Sequence, residues 1–193
     1  MVRIMTEHPI LNLKDKAFDL QNKFIKRFDQ TWGLHESVEE LCIQIGHLCQ
    51  SFINNKKLNN KAEAFNQNNR ILSHIKDELC DCFLSMCSIY KFYDMKEQDL
   101  PIHNISTQKT CDELITELFV LSAQLLDSCL ILKGTKPAFD RDEKAIFLNR
   151  YSAILQILEQ ISATEKINME KEFDKMIERT LLFLKGGQNA KSL

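Results

Sequence analysis

An all-α fold, an antiparallel bundle of about six helices, is what this sequence predicts, and three observations predict it. Only 5 Gly and 3 Pro interrupt 193 residues, so turn formers are scarce and straight-chain helix formers dominate. Apolar residues recur every three to four positions over long stretches, the period of a helix face. Polar or Pro/Gly-bearing segments separate those stretches. With 44% hydrophobic residues the chain is long enough for one substantial core and short for two, so residues 1–193 are read as a single domain.

The first helix follows from Leu13, Ala17, Leu20, Phe24 and Phe28, and is expected to end near Trp32-Gly33. A second carries a heptad-like seam of Leu34, Val38, Leu41, Ile45, Leu48 and Phe52. Residues 54–69, rich in Asn, Lys and Gln, read as a solvated loop. The third helix has Ile71, Ile75, Leu79, Cys82, Met86 and Tyr90 on one side and stops before Pro101, with 94–109 as linker. A fourth runs from about Cys111 to Leu132, ended by Gly134 and Pro137, and a fifth from about Arg141 to Ser162. Asn168 is the expected N-cap of a last helix through Leu184, beyond which the Gly186-Gly187 tail frays.

Charge and cysteine content narrow the function classes. Twenty-five basic and 27 acidic residues give a net charge of −2, with no basic stripe to follow a phosphate backbone, so nucleic-acid binding is not expected. Met1–Leu13 contains no apolar run of signal-peptide length, and no stretch approaches the roughly 18 uncharged residues of a membrane span, so a cytoplasmic protein without membrane attachment is expected. Seven Cys in that compartment read as free thiols. Cys80, Cys82, Cys87 and His74 match no familiar zinc-ligand spacing.

The candidate chemistry lies in the second and third helices. The second begins Leu34-His35-Glu36-Ser37-Val38-Glu39-Glu40-Leu41; the third carries Lys76-Asp77-Glu78-Leu79-Cys80-Asp81. Residues three or four apart share a helix face, so Glu36 pairs with Glu40 and Glu78 with Asp81. At about 100° per residue, Glu78 and Asp81 lie on one flank of their seam, roughly 80° and 140° from its centre. The matching flank of the second helix carries Ser37, Glu40 and Gln44, with Glu36 a little further round and Glu39 on the opposite side. Carboxylates that converge without a cation repel, and Mg²⁺, a hard ion with oxygen ligands, resolves that conflict. The plainer alternative is that each carboxylate belongs to a solvated face.

These residues resemble a known family. Glu78-Leu79-Cys80-Asp81 is similar to the E-L-x-D half, and Leu34–Leu41 to the L-x-x-E-x-x-E-L half, of the motif of MazG-like all-α nucleoside triphosphate pyrophosphohydrolases, relatives of dimeric dUTPases and dCTP pyrophosphatases. The resemblance covers about residues 13–93 and implies a MazG-like four-helix core. It further implies Mg²⁺-dependent cleavage of a nucleoside triphosphate to the monophosphate and pyrophosphate, in nucleotide house-cleaning. By the resemblance Glu40, Glu78 and Asp81 take the places of the family's second, third and fourth acids, with Glu40 and Glu78 catalytic. Ser37 stands where the first acid belongs, so either a neighbour such as Glu36 fills in as a fourth metal ligand or the site has lost a ligand.

Substrate contacts are read at Trp32, which could stack on a base, and at Lys76 and Arg70, which could meet phosphate. Half-buried packing and surface charge are their alternatives. Lys175 and Arg179 sit in a tail similar to the family's phosphate-contacting one. Residues 110–185 are additional helices in which Ile115-Thr116-Glu117-Leu118 echoes Val38–Leu41. Two amphipathic helices produce such an echo by periodicity alone; a degenerate second copy is the alternative. Homodimer and single-chain pseudo-dimer are both expected assemblies. The competing functional expectation is a catalytically inactive MazG-like bundle that binds a nucleotide or a protein.

Overall fold

Capping chemistry decides where each helix begins. The structure, a computed structural model, describes residues 9–29, 31–59, 65–100, 109–138 and 140–186. Helix α1 spans Pro9–Phe28; Pro suits a first turn, where its missing N–H has no intrahelical partner. It ends at Asp29, in the left-handed region at φ 48°, four residues before the Gly33 stop expected from sequence. Asp is among the few residues that adopt this conformation readily.

Helix α2 covers Leu34–Asn59 and α3 covers Phe65–Phe92. Most of the segment expected to be a solvated loop is therefore helical. Lys56, Lys57, Leu58 and Gln67 are good helix formers, so a polar composition did not require a break there. Residues 60–64 and the side chains of 55–73, Arg70 and Ile71 among them, lie outside the described residues. A single 3₁₀ turn at Glu97–Asp99 interrupts the expected linker, whose residues 101–108 are likewise outside.

Helix α4, Cys111–Leu132, opens with a full capping box: the Glu113 amide donates to the Thr110 hydroxyl, and the Thr110 amide donates to the Glu113 carboxylate. It closes at Gly134, φ 77°, where a residue with Cβ would be strained. Helix α5, Glu143–Thr164, begins two residues later than expected because Asp142 accepts the Ala145 amide at 3.1 Å. Asn168 caps α6, Met169–Gly186, accepting from the Lys171 amide at 3.1 Å as its sequence position predicts. The tail 187–193 lies outside the described residues.

Two helix hairpins face each other. α2 packs most extensively on α3, α4 on α5, and the hairpins meet through α2–α4 and α3–α5. α1 and α6 pack on α3 and on each other. Cys42 meets Ser122 while Glu36 lies near Cys129, and Tyr151 meets Met86 while Phe147 stacks on Tyr93, so α2 with α4 and α3 with α5 run antiparallel. Helix α4 is long and apolar enough to cross a bilayer by length and composition, with a mean hydropathy of 1.7; here it packs against α2 and α5.

Tyr151 stands among the largest wholly enclosed side chains, with Phe83, Phe147 and Phe173. Its hydroxyl donates to the Met86 carbonyl at 3.0 Å, joining α5 to α3. Tyr151→Phe removes that bond while the Met86 carbonyl keeps its place inside α3, so it is expected to cost about 1 kcal/mol. Urea unfolding, with an unchanged denaturant slope, measures this directly.

Candidate functional site

The antiparallel register of α2 and α3 sets which acids meet. Glu40 lies near Asp81, and one to two turns further along α2 His47 Nδ1 lies 3.7 Å from Glu78 Oε2. Gln44 links these levels: its amide donates to Glu40 Oε1 at 2.6 Å, and its carbonyl lies 3.3 Å from His47 Nδ1. Three of the four expected metal-binding acids are thus brought to one helix seam. Among the described residues, however, no group of three or more His, Cys, Asp or Glu side chains is close enough together to hold an ion.

The electrostatics of the seam follow from this convergence. Burial pushes the Asp81 carboxyl up to about 6, and the neighbouring charges of Glu78, Asp77 and Glu40 push in the same direction, against Arg179. Burial also raises Glu78, opposed by His47 and His74 and reinforced by Asp77. Burial and neighbouring negative charge therefore both oppose ionisation of Asp81 and Glu78. Glu40, Glu78 and Asp81 offer carboxylate oxygens, the donor type that a hard divalent cation takes, with Gln44 and His47 beside them.

Arg179 is delivered by α6. Its Nη2 donates to Asp77 Oδ1 at 2.6 Å, and it lies close enough to Asp81 to draw that carboxyl down. Lys175 holds Glu172 through both carboxylate oxygens, at 3.0 and 3.1 Å. Lys76 and Lys171 add positive charge around the same Glu172. The expected phosphate contacts Lys76, Lys175 and Arg179 thus gather along the α3–α6 edge, beside the acids.

Two expected site residues are placed differently. Glu36 Oε2 accepts the Gly33 amide at 3.0 Å, completing the start of α2, where a carboxylate at the third helical position suits both the free amide and the helix dipole. Its negative charge reaches Cys129 of α4, as does that of Glu39. Ser37 is 0% exposed; its hydroxyl donates to the Gly33 carbonyl at 2.7 Å and accepts Trp32 Nε1–H at 3.0 Å. Ser37 and Trp32 therefore fasten the first turn of α2 together. Trp32 sits eight residues before Glu40, about 12 Å along the helix.

His47 and Asp77 were not singled out from sequence. His47 was readable in principle, because seven residues after Glu40 returns to the same helix face. Asp77 was not, since a residue adjacent to Glu78 points about 100° away; its place is fixed by Arg179, 102 positions along the chain. Among the described residues the second hairpin carries no equivalent acid pair: Glu113 caps α4, and Glu117 is held by Lys109. No family model matches the chain, and no curated protein or solved structure is found to be similar to it.

Proposed function

We propose that this chain is a Mg²⁺-dependent nucleoside triphosphate pyrophosphohydrolase with a MazG-like helical core. The observation that carries the reading is the convergence of Glu40, Glu78 and Asp81, flanked by Asp77 and Arg179, on the seam between α2 and α3. A bound divalent cation supplies neutralisation of phosphate charge and a water of lowered pKa.

The remaining parts belong to the chain. Asp81 with one of Glu40 and Glu78 would hold the cation, and whichever of Glu40 and Glu78 is left unligated would accept a proton from the attacking water. Glu78, raised by burial, has the affinity for a proton that this base requires. Lys175 and Arg179, with Lys76 behind them, meet the phosphates, exchanging their carboxylate partners for phosphate oxygens of higher charge. The two facing hairpins form the bundle within one chain, which favours a single-chain pseudo-dimer over a homodimer, acting in the cytoplasm on nucleotides unwanted there. A monomeric mass in solution is the expected result.

One observation favours a second reading, a catalytically inactive bundle that binds a nucleotide or a protein. Ser37 and Glu36 are both committed to starting α2, so the first acid of the motif has no substitute at the seam. Incubation of the purified chain with a panel of nucleoside triphosphates and Mg²⁺, with pyrophosphate measured, separates the two. Pyrophosphate release above a Mg²⁺-free control supports the hydrolase; nucleotide binding without release selects the second reading.

A further inference from the structure

The first turn of α2 and the last turn of α4 flank an open pocket of ≈ 370 Å³ lined by Leu34, His35, Glu36, Cys129, Leu132 and Lys133. This volume lies within the range of about 300 to 1,000 Å³ typical of small-ligand sites. Leu34 and Leu132, both only half-buried, line it. Cys129, at 1% exposure, is the most deeply buried of the lining residues. Burial and the charges of Glu36 and Glu39 hold its thiol un-ionised, against Lys133, so the floor behaves as an apolar surface.

The rim charges are unequally committed. Glu36 is held by the Gly33 amide at the positive end of the α2 dipole, and Glu39 pairs with His35 at 3.3 Å. Lys133 has no ion-pair partner among the described residues, although its amide closes α4. The pocket therefore combines a largely apolar lining with one ammonium group, Lys133, that forms no ion pair among the described residues, the Glu36 carboxylate being turned to the Gly33 amide.

We infer that this cavity binds a small soluble amphiphile, an apolar body of short-chain length bearing one carboxylate that meets Lys133. The body replaces water against Leu34, Leu132 and Cys129, and the single head group is matched by the single available cation. Two anionic groups would bring the ligand against Glu36 and Glu39. The chamber accommodates one short chain and not a bilayer leaflet, so a free monocarboxylate is the ligand class. This inference does not depend on the proposed hydrolase activity.

The test is amide NMR of the full chain titrated with octanoate, octanol and octylamine as probes. Saturable shifts confined to residues around 33–36 and 129–134 are expected with octanoate, weaker ones with octanol and the weakest with octylamine. Lys133→Gln, a change on an exposed side chain, should weaken octanoate about three- to fivefold and leave octanol unchanged. Leu132→Trp fills the chamber and should abolish both. Absence of saturable shifts, shifts that map elsewhere, or octylamine binding as tightly as octanoate would each overturn the inference. An octanoate affinity unmoved by Lys133→Gln would do so even if Leu132→Trp fails to fold.

Discussion

Replacing Asp81 with Asn is expected to stabilise the metal-free protein and to silence pyrophosphate release. In the folded chain burial, with Glu78, Asp77 and Glu40, holds the Asp81 carboxyl at about 6, above its ordinary 3.8. A raised carboxylate favours the folded state where it is protonated there and ionised in the unfolded chain. Stability from this group therefore rises as pH falls from about 6 towards 4, and its ionisation opposes folding above about pH 6. The difference corresponds to about 3 kcal/mol. Asn cannot ionise, so the variant should gain about 2 to 3 kcal/mol at pH 7 and lose the slope between pH 4 and 6. Urea midpoints at pH 7 and pH 4.5 read both effects. No gain, with the slope unchanged, would mean that Asp81 is not crowded by its neighbours.

The same substitution removes a cation ligand. Asp81→Asn and Glu78→Gln should each reduce pyrophosphate release about a hundredfold or more, with the helical circular dichroism intact. Added Mg²⁺ should raise the melting temperature of the wild-type chain more than that of Asp81→Asn, because only the former has the full repulsion to relieve. Turnover unchanged in both variants would remove the site assignment. A protein that is both more stable and less active on losing one charge is the signature of acids held together for a ligand rather than for the fold.

Helix number, order and most boundaries were legible because the seams of α2, α3 and α4 are regular and their caps are local. Asn168 caps α6 from within three residues, a range that sequence pattern captures, whereas the equally local Asp142 cap moves the start of α5 two residues past its expected place. The extension of α2 through Asn59 and of α3 back to Phe65 was not legible, because loop composition and exposed helix composition coincide for Lys, Asn and Gln. At the site, angular position separated Glu40 from Glu39 correctly: Glu40 bears on Asp81, while Glu39 bears on Cys42 and Cys129 of the α2–α4 interface. The same reckoning kept Glu36 near the acids. It could not register that the unpaired Gly33 amide, four residues before Ser37, competes for that carboxylate. The partnership of Asp77 with Arg179 depends on where α6 packs, which no local pattern encodes.

Ser37→Glu, the change that would write the missing first acid of the motif into α2, is expected to unfold the protein rather than to activate it. Ser37 is wholly enclosed, and its hydroxyl serves two groups, the Gly33 carbonyl at 2.7 Å and the Trp32 indole N–H at 3.0 Å. Glutamate is larger, and overpacking of an enclosed position costs about 1 to 3 kcal/mol. The indole N–H left without its acceptor costs about 1 to 3 kcal/mol more. A carboxylate enclosed there without a cation adds several kcal/mol of desolvation unless it takes up a proton. Together these reach a large share of the roughly 5 to 15 kcal/mol that stabilises a domain. Ser37→Ala, which loses only the hydroxyl, should cost about 1 to 2 kcal/mol and leave turnover nearly unchanged. The comparison is decisive because the two roles for position 37 predict opposite signs. If it faces the acid seam, Mg²⁺ should restore the melting temperature of Ser37→Glu and its turnover should exceed wild type; if it fastens the start of α2, Mg²⁺ restores neither.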